Sequence, residues 1–385
     1  RAGAQREHRV NRAFSIYLDL VRVLAALAVI VYHSNFRLLT TEKLPFSNHG
    51  HAAVIVFFVL SGYVIAYITS ERENTPVSYW SSRLSRFYSL ALPVVLLTPL
   101  LDLAGEALAP QFYTGGTTTY GLAWLRILTS LTFLNEVWLV SIMSFSNVPY
   151  WSLCYEFWYY VLFAIVTFTA GRTRVLLAGA VMLLLGPKIL LLAPAWVAGV
   201  VLFRWQWLRA LKPLPGALLF AASWPAYWLF HQYGLTEVGS GWLLKLVGPH
   251  LHQQMAFSKF FMTDYLLALI VVANFAGMRA LADVAARPLR AIEPVIRPLA
   301  AYTFSAYILH QPLMQFYAAL INGDPGRPWF YAGTMLATFA TIAVLGSMTE
   351  QQRHHWRHGI RKLLARLFDR RDRQVVAPAA GAPHG

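Results

Sequence analysis

The sequence is poor in sulfur and in charge. A single cysteine, Cys154, stands among 385 residues. That excludes an intrachain disulfide, a CxxC redox pair and a cysteine-rich zinc site, and it leaves the thiol a packing role. Charged residues make up only 13%, and acids are the scarcer sign, with 17 Asp and Glu against 32 Lys and Arg. No repeat with a period of 20–50 residues runs through the chain, and no cleavage-site pattern closes the first apolar segment. What is abundant is apolar. With 57% hydrophobic residues, 15% aromatic residues and a mean hydropathy of +0.48, the chain reads as an integral membrane protein. The formal charge of +15 suits a nucleic-acid binder as well, but the basic residues lie in short gaps between apolar runs, where the positive-inside rule puts them. No nucleic-acid partner is expected.

Bilayer-length apolar runs fall near 14–37, 51–69, 86–104, 150–170, 174–190, 191–204, 214–232, 260–278, 300–321 and 329–348. The expected fold is therefore an all-α polytopic bundle of about ten membrane helices. A further apolar piece, 121–140, is expected to be re-entrant or interfacial, because counting it as a crossing would put the Arg172, Arg204 and Arg279 groups on the outside. Left uncrossed, the inner loops hold Arg72, Arg83, Arg86, Arg172, Arg174, Arg204, Arg209, Lys212, Arg279, Arg287, Arg290 and Arg297, against Lys43, Lys245, Lys259 and Arg327 outside. Both termini are then cytoplasmic. Re-entrant backbone needs protein or a water-filled cavity around it, so 121–140 should border an internal space.

The first residue is Arg1, so a start residue or short leader is expected to precede it, and the first apolar run is read as a retained helix. Two regions are expected: a transmembrane domain over 1–349 and a basic cytoplasmic tail over 350–385, the tail a partly amphipathic helix touching anionic lipid. His354, His355 and His358 cluster in that tail, but no carboxylate or thiolate completes a metal site, and none is expected.

The first apolar run also carries the sharpest clue. "SIYLDLVRVLAALAVIVYHSNF" holds Asp19, Arg22 and His33 in or near the hydrocarbon, where a charge costs at least about 2.5–3.5 kcal/mol and is usually paired, water-lining or functional. Asp19 and Arg22 are spaced i, i+3 and can pair. Arg22 and His33 share nearly one face but lie about 16 Å apart along the axis.

Further polar groups sit at membrane depth in ordered strings. "AVIVFFVLSGYVIAY" holds Ser61 and Gly62; "RLSRFYSLALP" holds Arg83, Arg86 and Pro93; "YWSLCYEFWYYVLF" holds Trp151, Ser152 and Glu156; "SAYILHQPL" holds Tyr307, His310 and Pro312. With the Asp-x-x-Arg helix that ends in His, an FFxxSGY helix, an RxxR loop with a downstream Pro, and a WSLxxE helix start, the chain resembles the acyltransferase-3 family of bacterial membrane acyltransferases over roughly 14–320. The resemblance implies transfer of an acyl group, usually acetyl, from cytoplasmic acyl-CoA to a hydroxyl of an exported or surface glycan, such as a lipopolysaccharide or exopolysaccharide, by an enzyme of the bacterial inner membrane. Some members carry an added extracytoplasmic hydrolase-like domain, and none is expected here. No permanently bound cofactor is expected, only acyl-CoA as donor substrate and a glycan or glycolipid acceptor.

Acyl transfer needs a base for the hydroxyl proton, a stabiliser for the oxyanion and a grip on the donor. His33 is the expected base or transient acyl carrier, since its ordinary pKa lies near operating pH. Glu156, starting a helix on the same outer side, is expected to orient the imidazole as the third group of a triad does. Arg83 and Arg86 suit the phosphates of CoA, Arg22 a deeper part of the donor, and Ser61 a narrow path for its pantetheine arm. Gly62 and Ser61 serve close helix approach equally well. Asp19, Trp151, Tyr307 and His310 are expected in supporting roles, the last two as an acceptor-site or helix-packing pair. A small-molecule or lipid acceptor is the alternative within the same class. A glycan or lipid transporter is the alternative outside it, although no convincing inverted repeat relates the two halves.

Overall fold

A computed structural model describes residues 11–36, 39–113 and 121–375. The described residues contain helices and connecting turns, with no strand beyond an isolated bridge between Ser144 and Asn147. In chain order the helices are α1 (Arg12–Phe36), α2 (Gly50–Glu71), α3 (Pro76–Leu108), α4 (Ala123–Leu131), α5 (Tyr150–Phe168), α6 (Gly171–Leu185), α7 (Pro187–Arg204), α8 (Pro213–Gln232), α9 (Leu235–Gln254), α10 (Phe261–Ala280), α11 (Ala286–Ala300), α12 (Thr303–Ile321), α13 (Pro328–Met348) and α14 (Arg353–Val375). Seven of them, α1, α2, α3, α5, α7, α10 and α13, are long and apolar enough to cross a bilayer, α10 counted with the turn before it and α13 with its continuation to Arg366. This is a multi-pass membrane protein.

The other three expected spans also form helices, with one boundary moved. The break expected near 190 falls at Gly186, where the backbone turns through φ 73°. The helix before it, α6, has only 15 residues, about 22 Å of rise against a hydrocarbon core of about 30 Å. A second difference concerns α3, which starts ten residues before the expected 86. Thr75 caps it: its side chain accepts from the Ser78 amide while the Ser78 hydroxyl accepts from the Thr75 amide, and Pro76 occupies the first turn. Arg83 and Arg86 therefore sit on a helix and not in a loop.

The segment 121–140 does not form a spanning helix. Its helical part, α4, is nine residues long, about 13 Å. The chain after it folds inward as irregular backbone, with Phe133, Glu136, Ser146 and Asn147 fully buried. Its polar groups are met by neighbouring helices. Asp102 of α3 accepts from the Ser146 amide (3.0 Å) and hydroxyl (2.6 Å), and Phe133 O accepts from Trp158 Nε1 and Cys154 Sγ of α5. Lys188 at the start of α7 donates to Glu136 Oε2 (2.7 Å), Ser141 Oγ and Val140 O. Non-helical backbone at membrane depth survives where protein surrounds it.

Helices α2 and α7 meet through reciprocal notches. A Cβ on Gly62 would run into the Trp196 carbonyl, and one on Gly199 into the Val59 carbonyl, so both positions require glycine for backbone contact. Around this pair, α1 packs on α2, α11 and α12, while α12 also packs on α3 and α13. The arginines collect at one end of the bundle: Arg12 pairs with Glu293 and Arg297 with Asp19, and α14 lies against α3 there, with Arg357 3.9 Å from Glu73.

The Glu136–Lys188 pair is fully buried on both sides, so removing one partner leaves a bare charge in a dry site. Lys188→Met is expected to lower stability by about 3–5 kcal/mol, and Lys188→Met with Glu136→Gln to recover much of it. Thermal unfolding of the detergent-solubilised protein reads both.

Candidate active site

Four helices bring polar side chains to one narrow cavity of about 70 Å³ in the bundle interior. Arg22 arrives from α1, Ser61 from α2, Arg86 from α3, and Ser152 and Glu156 from α5, with Tyr307 and Phe304 of α12 closing the wall. Glu156 organises them. Its Oε1 accepts from Ser61 Oγ (2.5 Å) and Tyr160 OH (2.7 Å), and Arg86 Nη2 stands 3.7 Å away. Trp196 Nε1 of α7 donates to the same Ser61 oxygen at 3.2 Å. Arg86 also donates to Tyr160 OH at 3.4 Å and lays its guanidinium 5.2 Å from the Phe304 ring centre, an arrangement suited to a planar, weakly hydrated cation.

Arg22 reaches this space from an ion-pair chain. It holds Asp19 Oδ1 at 3.1 Å, Asp19 Oδ2 takes Arg297 Nη1 at 2.9 Å, and Arg297 and Arg12 both bind Glu293. The Asp19–Arg22 pairing expected from their spacing is present. Hydrogen bonds from Arg297 and Arg12 hold the Glu293 carboxyl below its ordinary pKa. Glu350, just after α13, accepts from the Ser305 amide and hydroxyl and interacts electrostatically with Arg86 and Arg353. The cavity thus has cationic walls toward the arginine-rich end.

Arg83 is placed differently from its neighbour. It is 4% exposed, and its Nη2 donates to Glu73 Oε2 at 2.6 Å while the guanidinium lies 5.5 Å from the Tyr160 ring centre. It does not line the cavity. Of the two arginines expected to hold donor phosphates, Arg86 faces the space and Arg83 is tied into the protein. Trp151 is also in the packing: it stacks on Phe257 with centroids 4.3 Å apart and meets Tyr155 edge-on.

His33 and Glu156 are not brought together. The hydrogen-bond and ion-pair partners of Glu156 are Ser61, Tyr160 and Arg86, so the expected triad-like contact to the imidazole is absent. His33 meets His310 instead. Its Nδ1 lies 2.9 Å from Val29 O and 3.2 Å from His310 Nε2, with ring centres 5.0 Å apart. His310 is fully buried, and its Nδ1 lies 3.0 Å from Ala306 O. Tyr307, one turn earlier, bonds Ser152 Oγ at 2.7 Å and so does not pair through its hydroxyl with His310. The two histidines stand beyond Tyr307, toward the end away from the arginines, and neither lines the cavity.

These contacts assign the tautomers. A backbone carbonyl only accepts, so His310 carries its proton on Nδ1 and presents the Nε2 lone pair. By the same argument His33 Nδ1 carries a proton, shared between Val29 O and His310 Nε2. In the neutral pair, the basic lone pair of His33 is then on Nε2.

Two residues central to the arrangement were not singled out in the sequence. Tyr160 follows Glu156 by four residues and so shares its helix face, a signal available from spacing alone. Trp196 had none, because its partner lies 135 residues away.

The cavity is thus walled by five helices and lined by two guanidinium groups and one carboxylate, with the histidine pair farther along the axis. The sequence matches the acyltransferase domain profile of the acyltransferase-3 family over residues 15–347, and the chain belongs to that family. Among curated relatives it is similar to Acyltransferase MdmB of Streptomyces mycarofaciens, 31% identical over 37% of this chain and 36% of that protein. It is also similar to the peptidoglycan O-acetyltransferase OatA of Listeria monocytogenes, 29% identical over 41% of this chain and 25% of the relative, and to the putative peptidoglycan O-acetyltransferase YrhL of Bacillus subtilis, 28% identical over 43% and 26%. The chain thus spans well under half the length of these relatives. No solved structure matches it.

The two arginines are expected to separate on mutation. Arg83→Ala should destabilise the protein by about 3 kcal/mol, because Glu73 stays buried with only the more distant Arg357 beside it. Arg86→Ala leaves Glu156 with its two hydroxyl donors but without the guanidinium, so it should lower stability by about 1–3 kcal/mol and, if the cavity holds donor phosphates, weaken acyl-CoA binding by about 1.5–3 kcal/mol. Calorimetric titration and thermal scans on the same preparations check both.

Proposed function

We propose that the protein is a membrane O-acyltransferase that moves an acetyl group from cytoplasmic acetyl-CoA to a hydroxyl of an exported glycan, with His33 as general base. The observation that carries this reading is the placement of Arg22, Arg86, Glu156 and Ser61 around one cavity with the His33–His310 pair beyond it. The names of two relatives as peptidoglycan O-acetyltransferases support an acetyl group and a glycan acceptor. The arginine-rich end is the cytoplasmic one by its charge.

In this mechanism Arg22 and Arg86 hold the donor's phosphates, and Glu156 fixes Arg86 and Ser61 without touching the base. The thioester arm passes along the helices toward His33. His33 Nε2 takes the acceptor hydroxyl proton as that oxygen forms its bond to the thioester carbon. The C–S bond then breaks, and the imidazolium returns the proton to the leaving thiolate, giving an O-acetyl ester and free CoA thiol. His310 Nε2 accepts from His33 Nδ1 throughout, holding the ring and favouring its charged form.

Purified protein in nanodiscs should release thiol from acetyl-CoA when a glycan acceptor is added; no acceptor-dependent release from folded protein overturns the reading. His33→Gln should lose about 100-fold or more in turnover, as for removal of a general base, with acetyl-CoA affinity retained. His310→Ala tests the pair. With one of the two acceptors on Nδ1 removed and Val29 O retained, the imidazolium is less stable, so the acid limb of kcat/KM moves to lower pH, with a loss of about 10-fold at neutral pH. A His310→Ala enzyme slowed without movement of that limb would assign His310 to packing alone.

A further inference from the structure

At the end of the bundle away from the arginines, a second cavity of about 300 Å³ opens between the chain leading into α2 and the end of α8. Lys43, Phe46, Ser47, Asn48, His49 and His231 line it, and none of them belongs to the site above. Its volume is at the lower bound of ligand pockets, about 300–1,000 Å³, enough for one small ring with substituents.

The walls have a definite chemistry. Phe46 is 73% exposed and held at φ 63°, in the left-handed region that bulky residues adopt at a cost and that concentrates at binding sites. Its ring tilts against His49 at 5.9 Å, His49 stacks on His231 at 4.2 Å, and His49 Nδ1 lies 2.5 Å from the Tyr227 hydroxyl. The result is a run of ring faces edged by hydrogen-bonding nitrogens. Ser47 is 4% exposed, and its Oγ has no hydrogen-bond partner and is closed off from solvent, so a rotation of its side chain brings the unpaired hydroxyl to a ligand. Lys43 supplies the fixed charge, and no carboxylate is among the described lining residues.

Two residues that do not line the cavity link it to the histidine pair. Gly50, directly after His49, packs on the Tyr32 ring so closely that a Cβ would clash with it. Tyr32 in turn meets His33 edge-on, with centroids 5.0 Å apart.

Aromatic faces, an unpartnered hydroxyl and one ammonium match the C–H face, the hydroxyls and the acid group of an acidic sugar. We propose that this cavity is the acceptor subsite and takes a pyranose ring bearing an acid group, which pairs with Lys43 while the ring lies on Phe46. The assignment rests on the acyl-transfer reading for its purpose, but its test needs no donor. Saturation-transfer NMR on the protein in nanodiscs of zwitterionic lipid, with D-glucuronate and D-glucose as probes, should show transfer to glucuronate at least fivefold stronger than to glucose. Phe46→Ala should bring the glucuronate signal to background, and Phe46→Leu, which keeps an apolar side chain, should weaken it. Lys43→Gln should reduce glucuronate to the level of glucose. No transfer to glucuronate in wild type, or unchanged transfer in Phe46→Ala, overturns the site; equal transfer to both sugars in wild type overturns the acidic class. Glucuronate binding without acceptor-dependent thiol release would sink the acyl-transfer reading and leave this subsite standing. Thiol release without glucuronate binding would do the reverse.

Discussion

A carboxylate inside a bilayer persists only where donors surround it, and Glu156 is where this protein meets that condition. Ser61, Tyr160 and Arg86 converge on its Oε1 from α2, α5 and α3, and Trp196 of α7 holds Ser61 from behind. Any helix that moved away would leave a buried polar group without its partner, at a cost of about 1–3 kcal/mol or more for a charge. The same network therefore sets the spacing of four helices and the width of the cavity between them. The notches at Gly62 and Gly199 make that spacing possible, since without them α2 and α7 could not approach closely enough for Trp196 to reach Ser61.

Charge is graded along the bundle axis. Arg22 and Arg86 lie toward one end, a pair of histidines stands farther along, and an ammonium and aromatic rings occupy the far surface. Under the proposed acyl transfer, the anionic part of the donor is held at the arginines and its less polar part advances toward the histidines. The orientation of the imidazole pair depends on two helix carbonyls that do not titrate.

Much of this was legible in the sequence, for identifiable reasons. Apolar runs and arginine placement report on burial in lipid, which acts residue by residue, so most helices and the non-spanning 121–140 segment followed from them. Asp19 and Arg22 are local neighbours and their pairing was visible. Contacts between distant segments were not. Glu156 and His33 were both assigned to the outer side, yet helix rotation and depth gave one to Ser61 and the other to His310. Arg83 and Arg86 read alike in the string RLSR, and only the position of Glu73 separates the buried partner from the cavity-facing one. The early start of α3 was written in Thr75, Pro76 and Ser78, a capping signal overlooked because the apolar run begins later.

The inward-folded segment after α4 bears on how the chain is made. Glu136 enters the interior well before its counter-charge exists, because Lys188 lies 52 residues further along, beyond two helices. A nascent chain released after α6 would already have the α3 and α5 contacts to this segment but would hold the Glu136 carboxylate and the Val140 carbonyl without their lysine. Synthesis through α7 is accordingly the first moment at which this half of the bundle can close, and until then the segment depends on the water or protein of the insertion machinery. The order of the genetic text thus imposes an order on assembly, with the α7 lysine as the latch.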